Sequence, residues 1–69
     1  MNWRQFIQVM KIDERAARAK YQSAAKAAKS PAIKEIFDKL AYEEEVHIGV
    51  LEKFEKDLKS LLADEKKRS

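Results

Sequence analysis

Ala28-Lys29-Ser30-Pro31-Ala32 is the one place where the chain is strongly interrupted. It holds the only proline of a 69-residue sequence that has a single glycine. Serine is a good helix N-cap, and proline is favoured at the first helical position because its missing N–H had no partner there anyway. Nothing of comparable strength breaks the flanks. They predict a helix over about residues 2–29, a turn at 29–31 and a helix over about 31–64. At 1.5 Å per residue these are rods of roughly 40–50 Å, and so short a connection makes them antiparallel neighbours. The expected fold is all-α: residues 1–69 form one domain, a two-helix antiparallel hairpin.

Composition agrees. Apolar residues make up 45% and charged residues 39% of the chain, the balance of long amphipathic helices rather than of a turn-rich sheet or a disordered tail. With no Cys there is no disulfide, no thiolate metal site and no thiol nucleophile. No apolar run approaches the roughly 20 residues that span a bilayer, so no membrane partner is expected. Met1-Asn2-Trp3-Arg4-Gln5 lacks the pattern of a secretory signal, which makes the cytoplasm the expected compartment. Net charge is +3, divided as +5 over residues 1–30 and −2 over 31–69. The only basic cluster, Lys66-Lys67-Arg68, sits where cations favour a helix C-terminus, so nucleic acid is not expected as a partner.

The apolar spacing carries more. Trp3, Ile7, Met10, Glu14, Ala17, Tyr21, Ala24 and Ala28 follow one another in alternating steps of four and three. Ile33, Phe37, Leu40, Glu44, His47, Leu51, Phe54, Leu58 and Leu61 do the same in the second helix. Such steps average 3.5 residues and draw one continuous seam along each helix. Glu14, Glu44 and His47 are the only strongly polar members. Counted from the turn, Glu14 lies about 16 residues before it and the midpoint of Glu44 and His47 about 15 after it, a height difference of about 2 Å. Three polar seam residues therefore meet at one level.

Two carboxylates crowded in a seam are costly unless a multivalent cation neutralises them. Two helices also leave their seam open on one side. Two hairpins packed face to face close a four-helix bundle, and a twofold axis then gathers two copies each of Glu14, Glu44 and His47. One Glu from each of two helices plus Glu-x-x-His from each of the other two is the ligand set of di-iron and di-manganese carboxylate bundles. Its hard oxygens and borderline nitrogens suit Fe or Mn; structural Zn is an alternative, although zinc usually takes fewer carboxylates.

Glu14-x-x-Ala17-x-x-x-Tyr21, then Ile36-Phe37-x-x-Leu40-Ala41-x-Glu43-Glu44-x-x-His47 and Leu51, resembles the first half of a rubrerythrin or ferritin-like domain, over about residues 10–55. The half-length versions, of which encapsulated ferritins are the known kind, are the nearest in form. The resemblance implies a ferritin-like four-helix bundle built from two chains, with a di-iron centre of two Fe per dimer ligated by Glu14, Glu44 and His47. Rubrerythrin peroxidases carry an additional ligating Glu in their second half, three residues after the helix Glu, at the position that matches Ala17 here, and a Cys-ligated iron for electron delivery. The absence of both points toward a ferroxidase, which needs only Fe(II) and an oxidant. An encapsulin-type shell, and residence inside that nanocompartment, is the partner such relatives imply; the tail Asp64-Glu65-Lys66-Lys67-Arg68-Ser69 shows no apolar tag for it.

Three functions follow as expectations. The first is a non-haem di-iron ferroxidase oxidising Fe(II) to Fe(III) for iron storage or detoxification. The second is a peroxide-reducing di-iron protein fed by a separate electron donor. The third is a non-catalytic helical dimerisation module, metal-free or with a metal that only holds the bundle. Tyr21, two turns or about 10 Å from Glu14, bonds a ligating carboxylate, relays an electron or simply packs. Glu43 and Glu45 flank the ligand as solvated residues or as the lining of an iron route. Trp3, Phe37 and Phe54 read as core. Val9, Ile12, Ala16 and Ala19, with Val46, Ile48 and Val50, lie off the seam and predict an assembly larger than the homodimer. Gly49 in mid-helix fits close approach of a neighbouring subunit.

Overall fold

The computed structural model describes residues 1–68; Ser69, the end of the tail, lies outside the described residues, as do the side chains of Lys67 and Arg68. Two helices account for nearly all of it, α1 over Trp3–Ala27 and α2 over Pro31–Arg68. Asn2 opens α1: its Oδ1 accepts from the Gln5 N–H at 3.0 Å, and its carbonyl accepts from the Phe6 N–H. Ala28 closes α1 in extended geometry, φ −69° and ψ 129°, with its N–H donating to the Ala24 carbonyl. Ser30 then caps α2, its Oγ accepting from the Ile33 N–H at 3.4 Å and its carbonyl from the Lys34 N–H. Pro31 occupies the first helical position, as its fixed φ and missing N–H favour. The reversal uses no positive φ among the described residues. The extended backbone at Ala28 turns the chain instead.

The result is an all-α hairpin, 54 Å long and 16 Å across in both other directions. Its core is thin. Ile7, Ala25, Ala41, Ile48 and Leu58 are the buried apolar residues among those described, and two of them are alanines.

The line along which the helices face each other is rotated from the 3–4 seam. On α1 it passes through Ile7, Lys11 and Ala25; on α2 through Ala41, Ile48 and Leu58. Two seam members, Ile7 and Leu58, lie on that line, and the others fall to one flank of it: Trp3, Met10, Ala17, Ala24, Leu40, Leu51 and Phe54 are half-buried, while Ile33 and Leu61 are exposed. Ile48 corrects its sequence reading. It packs between the helices at 5% exposure instead of standing off on an outer stripe. Trp3, Phe37 and Phe54 are likewise half-buried rather than enclosed. Trp3 meets Phe6 edge-on at 6.1 Å between centroids and Phe54 tilted at 6.2 Å.

The opposite flank is closed by charge. Lys11 pairs with Glu55 at 3.2 Å, and Arg18 with Glu45 at 4.0 Å. Each of these four residues directly follows a seam residue (Met10, Ala17, Glu44, Phe54), hence is turned about 100° from it around the helix. One flank of the hairpin is therefore ion-paired and the other apolar and open. Val9, Ile12, Val46 and Val50 remain exposed beyond it.

Gly49 lies in α2 with nothing within 4 Å of where a Cβ would stand. Within the hairpin it brings only the entropic cost of glycine in a helix. Gly49→Ala should raise stability by about 0.5–1 kcal/mol, read as a higher urea midpoint. A lower midpoint would instead show that a second copy approaches this backbone.

Candidate metal centre

Glu14 comes from the middle of α1, Glu44 and His47 from consecutive turns of α2, and the short reversal at 28–31 brings them level. His47 Nδ1 lies 3.2 Å from Glu14 Oε2 and 3.5 Å from Glu44 Oε2. One donor atom from each of the three falls within 4.8 Å of the others. Burial is graded across the group: the Glu44 side chain is 16% exposed, Glu14 29% and His47 56%. The imidazole stands at the rim, on the open apolar flank, with the carboxylates behind it between the helices.

The electrostatics of this group are unbalanced. Carboxylates only accept hydrogen bonds, and one proton on Nδ1 serves one acceptor well. Among the described residues no lysine or arginine pairs with Glu14 or Glu44; the nearby cations Lys11 and Arg18 are engaged by Glu55 and Glu45. Two carboxylates and an imidazole nitrogen thus converge on a space to which no lysine or arginine among the described residues contributes. A first-row divalent ion with bonds of about 2.0–2.2 Å holds neighbouring ligand atoms about 3 Å apart and opposite ones about 4 Å apart. The observed separations suit it after small rotations of the side chains. Two oxygens and a nitrogen are a half set, since dinuclear carboxylate sites in bundles draw on four carboxylates and two histidines.

Tyr21 enters through its ring. It stacks on Phe37 at 6.3 Å, with Lys20 Nζ 5.5 Å from its centroid, and it takes no part in the contacts of Glu14, Glu44 and His47. Glu43 is exposed, and Glu45 is held by Arg18 on the ion-paired flank. What the sequence reading missed is the polar cluster one turn from Glu14, where Lys11, Glu55 and Gln8 bond across the helices. Its signal was available: Lys11 lies four residues after Ile7 and three before Glu14, on the same helical face. Attention to the 3–4 seam passed it over because it falls one position off.

Crowded carboxylates without a counter-ion should cost the metal-free protein stability. Glu14→Gln keeps an oxygen facing His47 and removes one charge, so the metal-free hairpin should gain roughly 0.5 kcal/mol, measured by urea unfolding in the presence of a chelator. A loss of that size would show that the two carboxylates do not repel across the site.

No curated protein and no solved structure matches the chain. The sequence model of one family, described as Rubrerythrin, matches residues 7–69 and so takes in both helices with Glu14, Glu44 and His47. The chain belongs to the rubrerythrin family.

Proposed function

We propose that two copies of the hairpin pack open flank against open flank, gather two Glu14, two Glu44 and two His47 into one dinuclear site, and oxidise Fe(II) to Fe(III) for iron storage or detoxification. The observation that carries this reading is the convergence of three metal-donor side chains, with no lysine or arginine partner among the described residues, at the rim of an unclosed apolar face. Surface area supports the dimer. The hairpin exposes 5636 Å², whereas a compact monomer of its mass exposes about 4,500 Å². The excess, about 1,100 Å², exceeds the roughly 800 Å² that each partner contributes to a standard interface.

In this reading Glu14 and Glu44 neutralise the cations and His47 Nδ1 adds a nitrogen ligand. The apolar residues above and below the site, Met10 and Leu40 among them, limit water around it. Iron held there supplies one-electron redox chemistry and coordination positions for an oxidant. The overall change balances as two Fe(II) giving up two electrons, which dioxygen takes with two protons to leave as hydrogen peroxide. Ala17, where peroxidases of the family carry a further ligating Glu, favours oxidation of iron as the net reaction over sustained peroxide reduction.

Anaerobic protein mixed with Fe(II) and then exposed to air should develop Fe(III) absorbance well above the protein-free rate, and Glu44→Ala should bring it back to that rate. Equal rates for the two proteins would overturn the assignment, and faster oxidation by hydrogen peroxide than by dioxygen would favour the peroxide-reducing alternative. Because metal bound only by the dimer stabilises it by mass action, Fe(II) under anaerobic conditions should also shift sedimentation from monomer toward dimer or larger species. His47→Ala should weaken that shift. Metal-loaded protein that stays monomeric at micromolar concentration would exclude the shared site.

A further inference from the structure

Lys11 is the one charged residue that the hairpin buries among those described, at 9% exposure, and it lies three residues before Glu14 on the same face of α1. Its Nζ donates to Glu55 Oε1 at 3.2 Å, and Glu55 Oε2 accepts from Gln8 Nε2. Side chains on a helix lean toward its N-terminus. Lys11 therefore leans away from Glu14 toward the start of α1, while Glu55 on the antiparallel α2 leans back toward the turn, and the two meet beyond the metal-binding group. A lysine is a point charge on a flexible four-carbon stem. Released from Glu55, it has a second acceptor within reach of its own helix, the Glu14 carboxylate, which no other lysine or arginine among the described residues holds. An ammonium seated there takes up the lone pairs that a metal needs.

We infer that Glu55, steadied by Gln8, restrains Lys11 and so keeps Glu14 open to metal. Glu55 is a positioning residue: it acts through Lys11 and touches no metal. The inference rests on the metal reading above and adds a specific reason for the buried lysine to have a dedicated carboxylate. It also explains why the pair lies beside the site. In a core of alanine, isoleucine and leucine, a slipped helix alignment would leave Lys11 buried without a partner, so the same pair that holds the amine away also penalises the wrong register.

The test is titration of Co(II), followed by its visible absorbance, into metal-free wild type, Glu55→Gln, Lys11→Met and the Lys11→Met/Glu55→Gln double variant. Glu55→Gln should weaken Co(II) binding about tenfold, the scale of one charge-assisted hydrogen bond competing for Glu14. Lys11→Met and the double variant should both bind within about threefold of wild type. Recovery on removing the lysine cannot arise from damage to the helix pair, because the double variant has lost the ion pair entirely. If Glu55→Gln does not fold, Gln8→Ala loosens the same carboxylate, with a smaller loss expected and the same recovery on adding Lys11→Met. Wild-type affinity in the Glu55→Gln protein, or a double variant that binds as weakly as Glu55→Gln, overturns the restraint alone. A wild type that takes up no Co(II) overturns the metal reading and this inference with it.

Discussion

Glu14, Glu44 and His47 face one another at distances of 3.2 and 3.5 Å with no lysine or arginine among the described residues to balance the two carboxylates, and much of the molecule is arranged around that imbalance. Placing two anions half inside a helix pair is unfavourable. It requires helices that hold their alignment for many turns, since a slip of one turn moves one of these side chains by about 5 Å. The two cross-helix ion pairs answer that need. Arg18 with Glu45 lies on the turn side of Glu14, and Lys11 with Glu55 on the far side. Each takes a nearby cation out of reach of the carboxylates while fixing the helices relative to each other.

The same arrangement accounts for the thin core. A hairpin 16 Å thick has no interior beyond the single line where its helices touch, and with alanines among its few buried residues that line supplies little hydrophobic stabilisation. Charge closes one flank and leaves aromatic and aliphatic side chains uncovered on the other. On the proposed reading, a second copy covers that flank and completes the ligand set in one step, so that burial of apolar surface and neutralisation of the carboxylates depend on the same interface. The rubrerythrin family match takes in both helices of the hairpin. No helix among the described residues is long and apolar enough to cross a membrane.

The sequence by itself determined the hairpin and the level of the site. Ser30-Pro31 supplies both a cap and a stop, and these act locally, through one side-chain oxygen and one missing N–H, so they are legible without tertiary context. Glu14, Glu44 and His47 were legible for a similar reason: helical rise is constant, and distance from a short turn converts directly into height along the rod. What the tertiary structure decided was rotation. Steps of three and four describe an apolar arc wide enough to admit several facing directions, and the helices chose a line through Ile7, Lys11, Ala25, Ala41, Ile48 and Leu58 that shares only Ile7 and Leu58 with the seam. That choice buried Ile48, put His47 at the rim and turned Lys11 inward to meet Glu55. A residue's height follows from counting along its own helix, but the direction it faces depends on how the side chains of both helices pack together, and only the folded pair fixes that.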